Sequence, residues 1–195
     1  MTETHAEFKM DFPTQSHTSS DETFTWEEVR AIMDKEIKRR GEYVTAIVLA
    51  MKERYGEEAL DVAERAIYQI GYKKGKSRSK MVREQGREPD LASLSELVAH
   101  RMAKLYLGTK VQVEPERMTA TETYCPMPAY WKSIGFPDAE VLRFCGMFDQ
   151  VDKGMVEGYN GEYTADLGGA DQLARQGYCQ MIVRKKLAEE MSGPD

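Results

Sequence analysis

The apolar residues of this chain change their spacing at Gly108, and that change constrains the fold more than any other feature of the sequence. Before Gly108 they recur every three or four residues, which is typical of one face of an α-helix. After it they alternate with polar residues, as in a half-buried strand. The sequence therefore predicts an α+β protein, with an N-terminal helical layer packed on a small antiparallel sheet and one or two further helices.

The length of 195 residues predicts one α+β domain over 24–188. Its helical part covers 24–108, and its mixed part, 109–188, carries the candidate site. Residues 1–23 have no periodic apolar pattern, so we expect an arm that is disordered or loosely docked. Residues 189–195 are expected to form a loose tail.

Local signals divide the helical part into four predicted helices. Thr25 and Glu28 form a capping box before the first helix, and Gly41 is expected to stop it. The next segment is apolar nearly all round, which predicts a helix buried at the centre of a bundle. Asp90 is expected to cap the last helix, and Gly108 to end it. The four predicted segments are 26–41, 43–56, 57–75 and 91–108.

The segment 73–87 is strongly basic and breaks the helical pattern with two glycines. This composition predicts a solvated loop. The alternative is a surface patch for an anionic ligand or partner.

Charge and composition narrow the class of partner. The formal net charge is −6, which argues against nucleic acid or an anionic membrane as the main partner. No run of apolar residues is long enough to span a bilayer, and the N-terminus lacks the apolar region of a secretory signal. Three cysteines are too few for a disulfide framework, so we expect free thiols and a cytoplasmic protein. The apolar helical half is compatible with a homodimer.

All three cysteines lie in the last third of the chain. Cys125 precedes Pro126, a pattern that predicts the N-cap of a short helix directly after a strand. There the helix dipole would lower the pKa of the thiol and make Cys125 the candidate nucleophile. The alternative is a small buried cap residue.

Cys145 and Asp149 are four residues apart, so they share one face of the helix predicted after Pro137. The acid could orient the thiol, take its proton or join it as a metal ligand. Alternatively, Cys145 is a buried thiol beside a surface acid. Cys179 opens a predicted strand on the same side as Met181, which makes a plain buried cysteine the alternative for it. A Cys–His dyad would have to use His100, because no histidine lies within the cysteine-rich part.

Four sequence segments together resemble the L-2-amino-thiazoline-4-carboxylic acid hydrolase family: "YCPMPAYWKSIG", "LRFCGMFDQVDKG", "YTADLGG" and "QGYCQMIV". The resemblance covers roughly residues 118–185. It implies a small cytoplasmic α+β protein that hydrolyses a cyclic, amidine-like thiazoline. The longer polar stretch before Gly177 departs from the family pattern.

Two functions follow from these residues. The first is a hydrolase, without a cofactor, that acts on a small cyclic amidine, thiazoline-like or amide-like C–N bond in a cysteine-lined pocket. Its predicted catalytic residues are Cys125, Cys145, Asp149 and Cys179, and its predicted substrate contacts are Glu122, Tyr124 and Phe148. The second is a sensor-like module that binds a small ligand, or a zinc or iron ion, through the same three thiols and Asp149.

Overall fold

The structure is a computed structural model, and it describes residues 24–168, 178–187 and 190 of the chain. The expected arm, 1–23, lies outside the described residues, and so does the expected tail except for Glu190. The described part is an α+β fold, as predicted. Its helices are α1 (Trp26–Tyr55), α2 (Glu58–Glu84), α3 (Leu91–Val98), α4 (Pro126–Ser133) and α5 (Asp138–Tyr159), with a π-helical segment (Ala103–Leu107) after α3. Its strands are β1 (Lys110–Glu114), β2 (Arg117–Glu122), β3 (Tyr163–Leu167) and β4 (Cys179–Lys185).

The four strands form one antiparallel sheet in the order β1-β2-β4-β3. The register of β2 and β4 places Glu122 opposite Cys179 and Ala120 opposite Met181. Residues that are directly opposite in an antiparallel pair have their side chains on one face of the sheet. The same face of β4 carries Val183, which is fully buried. The predicted core side of this strand is therefore confirmed.

Helix α1 is continuous through Gly41, so the stop predicted there is wrong. Gly41 is buried, and a Cβ atom at this position would collide with the end of the Met127 side chain. The glycine leaves room for the end of the Met127 side chain, and the helix ends instead at Tyr55, followed by Gly56, whose φ is 77°. The predicted capping box of Thr25 and Glu28 is confirmed.

The middle of α1 is not buried all round, contrary to prediction. Thr45 and Val48 are buried on one face, whereas Tyr43 and Ile47 are each 60% exposed on the other. An apolar segment predicts burial, but among the described residues only one face of this helix has other elements packed against it.

The basic segment 73–87 is not a loop, because α2 continues through it as far as Glu84. A Cβ atom at Gly75 would meet the backbone of α5, and one at Gly158 of α5 would meet the backbone of α2. Gly71 and Gly154 make the same kind of approach four residues earlier on each helix. The glycines are thus contact positions between two helices and not breaks in the first.

The last helix predicted in the N-terminal half is interrupted. Helix α3 ends at Val98, and the π-helical segment follows after a break around His100. The predicted ends are confirmed: Asp90 caps α3 through its side chain, and Gly108 ends the π-helical segment with a φ of 66°.

The core consists of two clusters with a gap between them. One cluster joins the sheet to α3 and the end of α5, and it includes Leu94, Met118 and Val183. The other joins α1, α4 and the first half of α5 around Trp131 and Phe144. No helix in the described part of the chain is long and apolar enough to cross a membrane.

Candidate functional site

A cavity of about 400 Å³ lies between the two core clusters. Helices α2 to α5, the π-helical segment and strands β2 to β4 all contribute to its wall. Every predicted site residue except Tyr124 lines it: Glu122, Cys125, Cys145, Phe148, Asp149 and Cys179. Arg78, His100 and Asp152 are the further charged or titratable side chains of the wall, and the remaining lining residues are apolar or proline.

Cys125 occupies the predicted position. It is the extended N-cap of α4, with Pro126 as the first helical residue. The low pKa expected for its thiol is nevertheless wrong, because burial raises the pKa to about 11. The backbone N–H of Met127 stabilises the thiolate, but nearby carboxylates oppose it. The stabilisation of the thiolate at the start of the helix is therefore too weak to offset the loss of water around the sulfur.

Helix α5 presents a row of polar side chains to the cavity. Cys145 and Asp149 both line the wall, as their spacing predicts, and Asp152 lines it one turn further on. Asp149 is half-buried and is not a surface acid. Asp152 was missed in the sequence analysis, although its spacing of three residues from Asp149 was a usable signal.

The three carboxyl groups of the cavity all have raised pKa values. Burial is the largest cause for each, and it raises the pKa of Asp152 to about 6. At Asp152, the positive charge of Lys74 partly offsets the effect of burial on the pKa. The pKa values of Glu122 and Asp149 are raised to about 7, by burial and then by the negative charge of Asp152. The cavity therefore contains carboxyl groups that gain and lose protons near neutral pH.

Glu122 is held at the end of β2. Its Oε1 accepts a hydrogen bond of 3.4 Å from the hydroxyl of Thr109, which partly opposes the effect of burial on its pKa. Its neighbour across the sheet is Cys179, whose pKa is raised to about 12 by burial and then by the Asp149 and Glu122 charges. The thiols of Cys125 and Cys179 are therefore protonated at neutral pH.

Tyr124 is directed to a different partner. Its hydroxyl donates a 2.6 Å hydrogen bond to one carboxylate oxygen of Asp34, and the hydroxyl of Tyr106 donates one of equal length to the other. The guanidinium carbon of Arg30 lies 4.5 Å from the centre of the Tyr124 ring. This cluster ties α1 to the segment before Cys125. Tyr124 therefore contacts α1 next to the site and does not line the cavity.

His100 and Arg78 complete the polar wall. His100 is exposed at the break after α3, and its Nδ1 accepts a long hydrogen bond of 3.4 Å from the N–H of Ala103. Arg78 belongs to the basic segment and is half-buried. From the sequence, His100 was the histidine that a Cys–His dyad would have to use, and no single residue of the basic segment was predicted to belong to the site.

The described residues contain no group of three or more histidine, cysteine, aspartate or glutamate side chains that could hold a metal ion. The tetrahedral site considered for Cys125, Cys145, Asp149 and Cys179 is therefore not formed, although all four line one cavity. A metal ion needs its ligands at a common distance of about 2.0–2.3 Å, which is a stricter condition than lining the same space.

Comparisons with known proteins give a family match and several similar solved structures. The family model described as L-2-amino-thiazoline-4-carboxylic acid hydrolase matches residues 36–182. Among solved structures, a trafficking protein particle complex subunit 3 from Naegleria fowleri, covalently bound to palmitic acid, is similar with a TM-score of 0.51 and 13% identity. The similarity covers 80% of this chain and 97% of that chain, and it concerns the fold alone. No curated protein matches.

Proposed function

Because the chain belongs to the L-2-amino-thiazoline-4-carboxylic acid hydrolase family, we propose that it hydrolyses a C–N bond of a small cyclic amidine or amide. The cavity lined by Glu122, Asp149 and Asp152 is the proposed active site. The observation that carries the proposal is that three carboxyl groups line one cavity, where burial raises their pKa values towards neutral pH. Groups that titrate near neutral pH are suited to act as general acids and bases.

The three carboxyl groups divide the two proton transfers between them. Asp152 has the lowest pKa of the three and is ionised at neutral pH, so it is the proposed base. Its charge helps Glu122 and Asp149 to keep their protons, so one of these two is the proposed acid. Such a separation of pKa values between neighbouring carboxyls is how acid and base roles are commonly assigned.

The proposed reaction uses these groups in sequence. Asp152 takes a proton from water while the water oxygen forms a bond to the amidine or amide carbon, and the π electrons of the C=N or C=O bond move to its nitrogen or oxygen. The C–N bond of the resulting tetrahedral intermediate then breaks as a C=O bond forms at the same carbon, and the electron pair of the C–N bond goes to the departing nitrogen. Glu122 or Asp149 donates the proton that the departing nitrogen needs. No cofactor enters this scheme.

For the three thiols we propose a role in shaping the cavity in place of the predicted catalytic role. Because burial raises the pKa of the Cys125 thiol to about 11, this side chain is almost entirely protonated at pH 7. Attack by the sulfur would first require a carboxylate to remove the thiol proton. Attack by water avoids this step, and so Cys125, Cys145 and Cys179 are proposed to shape the wall.

Single substitutions separate the two routes. Turnover of 2-amino-2-thiazoline-4-carboxylate should fall by about a hundredfold or more in Asp152→Asn, which keeps the shape of the side chain but cannot act as a base. Cys125→Ala should retain most of the wild-type rate. The opposite pattern, with an inactive Cys125→Ala and an active Asp152→Asn, would establish the cysteine as the nucleophile.

The module that binds a ligand without reaction remains the second candidate. In its favour, most of the cavity wall is apolar, and the similar trafficking protein particle complex subunit carries palmitic acid. It predicts that an acyl chain accompanies the purified protein, either free or as an adduct visible in the intact mass. An acyl chain in stoichiometric amount together with no turnover would favour this candidate over the hydrolase.

A further inference from the structure

We propose that Asp34 is a positioning residue of the cavity, because its carboxylate holds the two wall segments that place Glu122. One is the π-helical segment, which carries Tyr106, and the other is the connection from β2 to α4, which carries Tyr124. This inference rests on the proposed function for the role of the cavity as an active site. The contacts of Asp34 are independent of that function.

The Asp34 carboxylate reaches both segments from α1, which contributes no described residue to the cavity wall. Each of its two oxygens accepts one hydrogen bond of 2.6 Å, from the hydroxyl of Tyr106 or of Tyr124. Burial by itself would raise the pKa of Asp34, but these hydrogen bonds and the charges of Lys38 and Arg30 lower it below the ordinary value. Asp34 is therefore ionised at neutral pH, and hydrogen bonds to a charged acceptor are stronger than those to a neutral one.

The two wall segments are also bonded to each other. The carbonyl of Leu107, a residue of the cavity wall, accepts hydrogen bonds of 3.0 Å and 3.1 Å from the N–H groups of Thr123 and Tyr124. The rings of Tyr106 and Tyr124 pack edge to face with their centres 5.7 Å apart. Asp34 therefore fixes two segments that already contact each other and attaches both of them to α1.

Glu122 is connected to both segments. The hydroxyl of Thr109 lies 3.1 Å from the carbonyl oxygen of Ala103 in the π-helical segment and 3.4 Å from Oε1 of Glu122. On the other side, Tyr124 follows Glu122 by two residues in the chain. A shift of either segment would therefore move the Glu122 carboxyl group within the cavity.

The surroundings of Glu122 make such a shift measurable. It faces Asp149 and Asp152 of α5, Cys125 at the start of α4 and Cys179 of β4. Burial is the largest cause that raises its pKa to about 7. A loosened wall admits water, so the pKa of Glu122 would fall towards the ordinary glutamate value of about 4.3. The pKa of Asp149 would not follow it, since an ionised Glu122 raises the pKa of Asp149.

Removal of single hydroxyl groups tests the inference without any turnover. Tyr106→Phe and Tyr124→Phe each delete one hydrogen bond to Asp34 and leave its charge in place. In each variant the pKa of Glu122 should fall by roughly half a unit or more, while that of Asp149 should not fall. Carboxyl-carbon NMR titration measures both pKa values in the same sample.

Two further variants locate the effect. Asp34→Ala removes the acceptor of both hydrogen bonds, so the addition of Tyr106→Phe to it should cause no further fall in the pKa of Glu122. Tyr43→Phe is the matched control, since Tyr43 is an exposed tyrosine of the same helix as Asp34, away from the cavity wall. It should behave as the wild type.

Each contrary result overturns the inference. These results are an unchanged pKa of Glu122 in either tyrosine variant, a further fall in the double variant, or an equal fall in Tyr43→Phe. A parallel fall of the Glu122 and Asp149 pKa values also overturns it, because general loosening of the fold would produce that pattern.

The failure of this inference is distinguishable from the failure of the proposed function. If the pKa of Glu122 is unchanged in the tyrosine variants while the wild type turns over a thiazoline, the positioning role fails and the hydrolase proposal stands. If the pKa of Glu122 falls as expected but no amidine is hydrolysed, the hydrolase proposal fails and the positioning role stands.

Discussion

Single residues in the cavity wall influence one another mainly through charge. Among the three carboxyl groups, Asp152 has the lowest pKa. Its negative charge raises the pKa values of Glu122 and Asp149. Removal of the Asp152 charge should therefore change the pKa values of the other two carboxyl groups.

We predict that Asp152→Asn lowers the pKa of Asp149 from about 7. Burial, the larger cause, remains, so the pKa should still lie above the ordinary aspartate value of about 3.9. Carboxyl-carbon NMR titration measures it. Asp61→Asn on the exposed face of α2 is the control and should leave Asp149 unchanged. An unchanged Asp149 in Asp152→Asn would show that the two groups do not interact.

The thiols give a second prediction at this scale. Cys125 and Cys179, with pKa values raised to about 11 and about 12, should react with iodoacetamide at pH 7 more slowly than an unperturbed cysteine. Their rates should still be rising above about pH 10, where the rate of a free thiol with a pKa of about 8.5 has levelled off. Mass spectrometry of each cysteine-containing peptide follows the reaction in time. Rapid labelling of Cys125 at pH 7 would contradict the raised pKa and support the low pKa that the sequence predicted.

At the level of elements, the contact between α2 and α5 holds two walls of the cavity in place. Gly71 and Gly75 on one helix and Gly154 and Gly158 on the other let the two backbones touch. Both helices carry polar residues of the site, so a change in their separation would alter the cavity itself.

We predict that Gly75→Ala destabilises the protein by about 1–3 kcal/mol, because the new methyl group would overlap with the backbone of α5 and force the helices apart. Gly146→Ala is the matched control. Gly146 lies in α5 with no neighbouring atom near its missing Cβ, so alanine should stabilise the helix by about 0.5–1 kcal/mol. Urea unfolding measures both. Equal effects of the two substitutions would refute the role of the close contact.

For the whole molecule, the buried carboxyls link folding to pH. Their pKa values are raised in the folded state, so the folded protein binds more protons than the unfolded chain between about pH 4 and pH 7. Their contribution to the free energy of unfolding is fully present below the pKa values that these groups have in the unfolded chain. It is lost as the pH rises through their pKa values in the folded protein.

The melting temperature should accordingly fall between pH 5 and pH 8, a range that lies above the titration of carboxyls with lowered pKa values, such as Glu190. Asp149→Asn should show a smaller fall, because an amide has no charge to bury. Differential scanning calorimetry at constant ionic strength tests this. A wild-type melting temperature that rises over this range would contradict the raised pKa values.

The sequence by itself determined the features that depend on near neighbours in the chain. The change of period at Gly108 predicted the α+β class, and Thr25 and Asp90 predicted two helix starts. Cys125 before Pro126 predicted the cap of α4, and the spacing of Cys145 and Asp149 predicted their common face. These are contacts within one turn or one strand, for which residue type and spacing are sufficient.

Only the tertiary structure decided the features that depend on distant segments. From the sequence, Gly41 and Gly75 were predicted to break helices, but each contacts another helix, through the Met127 side chain of α4 and the backbone of α5 respectively. A glycine in the sequence does not show which of these two roles it has. Cys125 has the predicted cap position but the opposite pKa shift, because the burial and the carboxylates around it come from other elements. Arg78 lies in the cavity wall because α2 packs against α5, which is a contact between distant segments of the chain. Burial and long-range charge are set by packing, which local spacing does not encode.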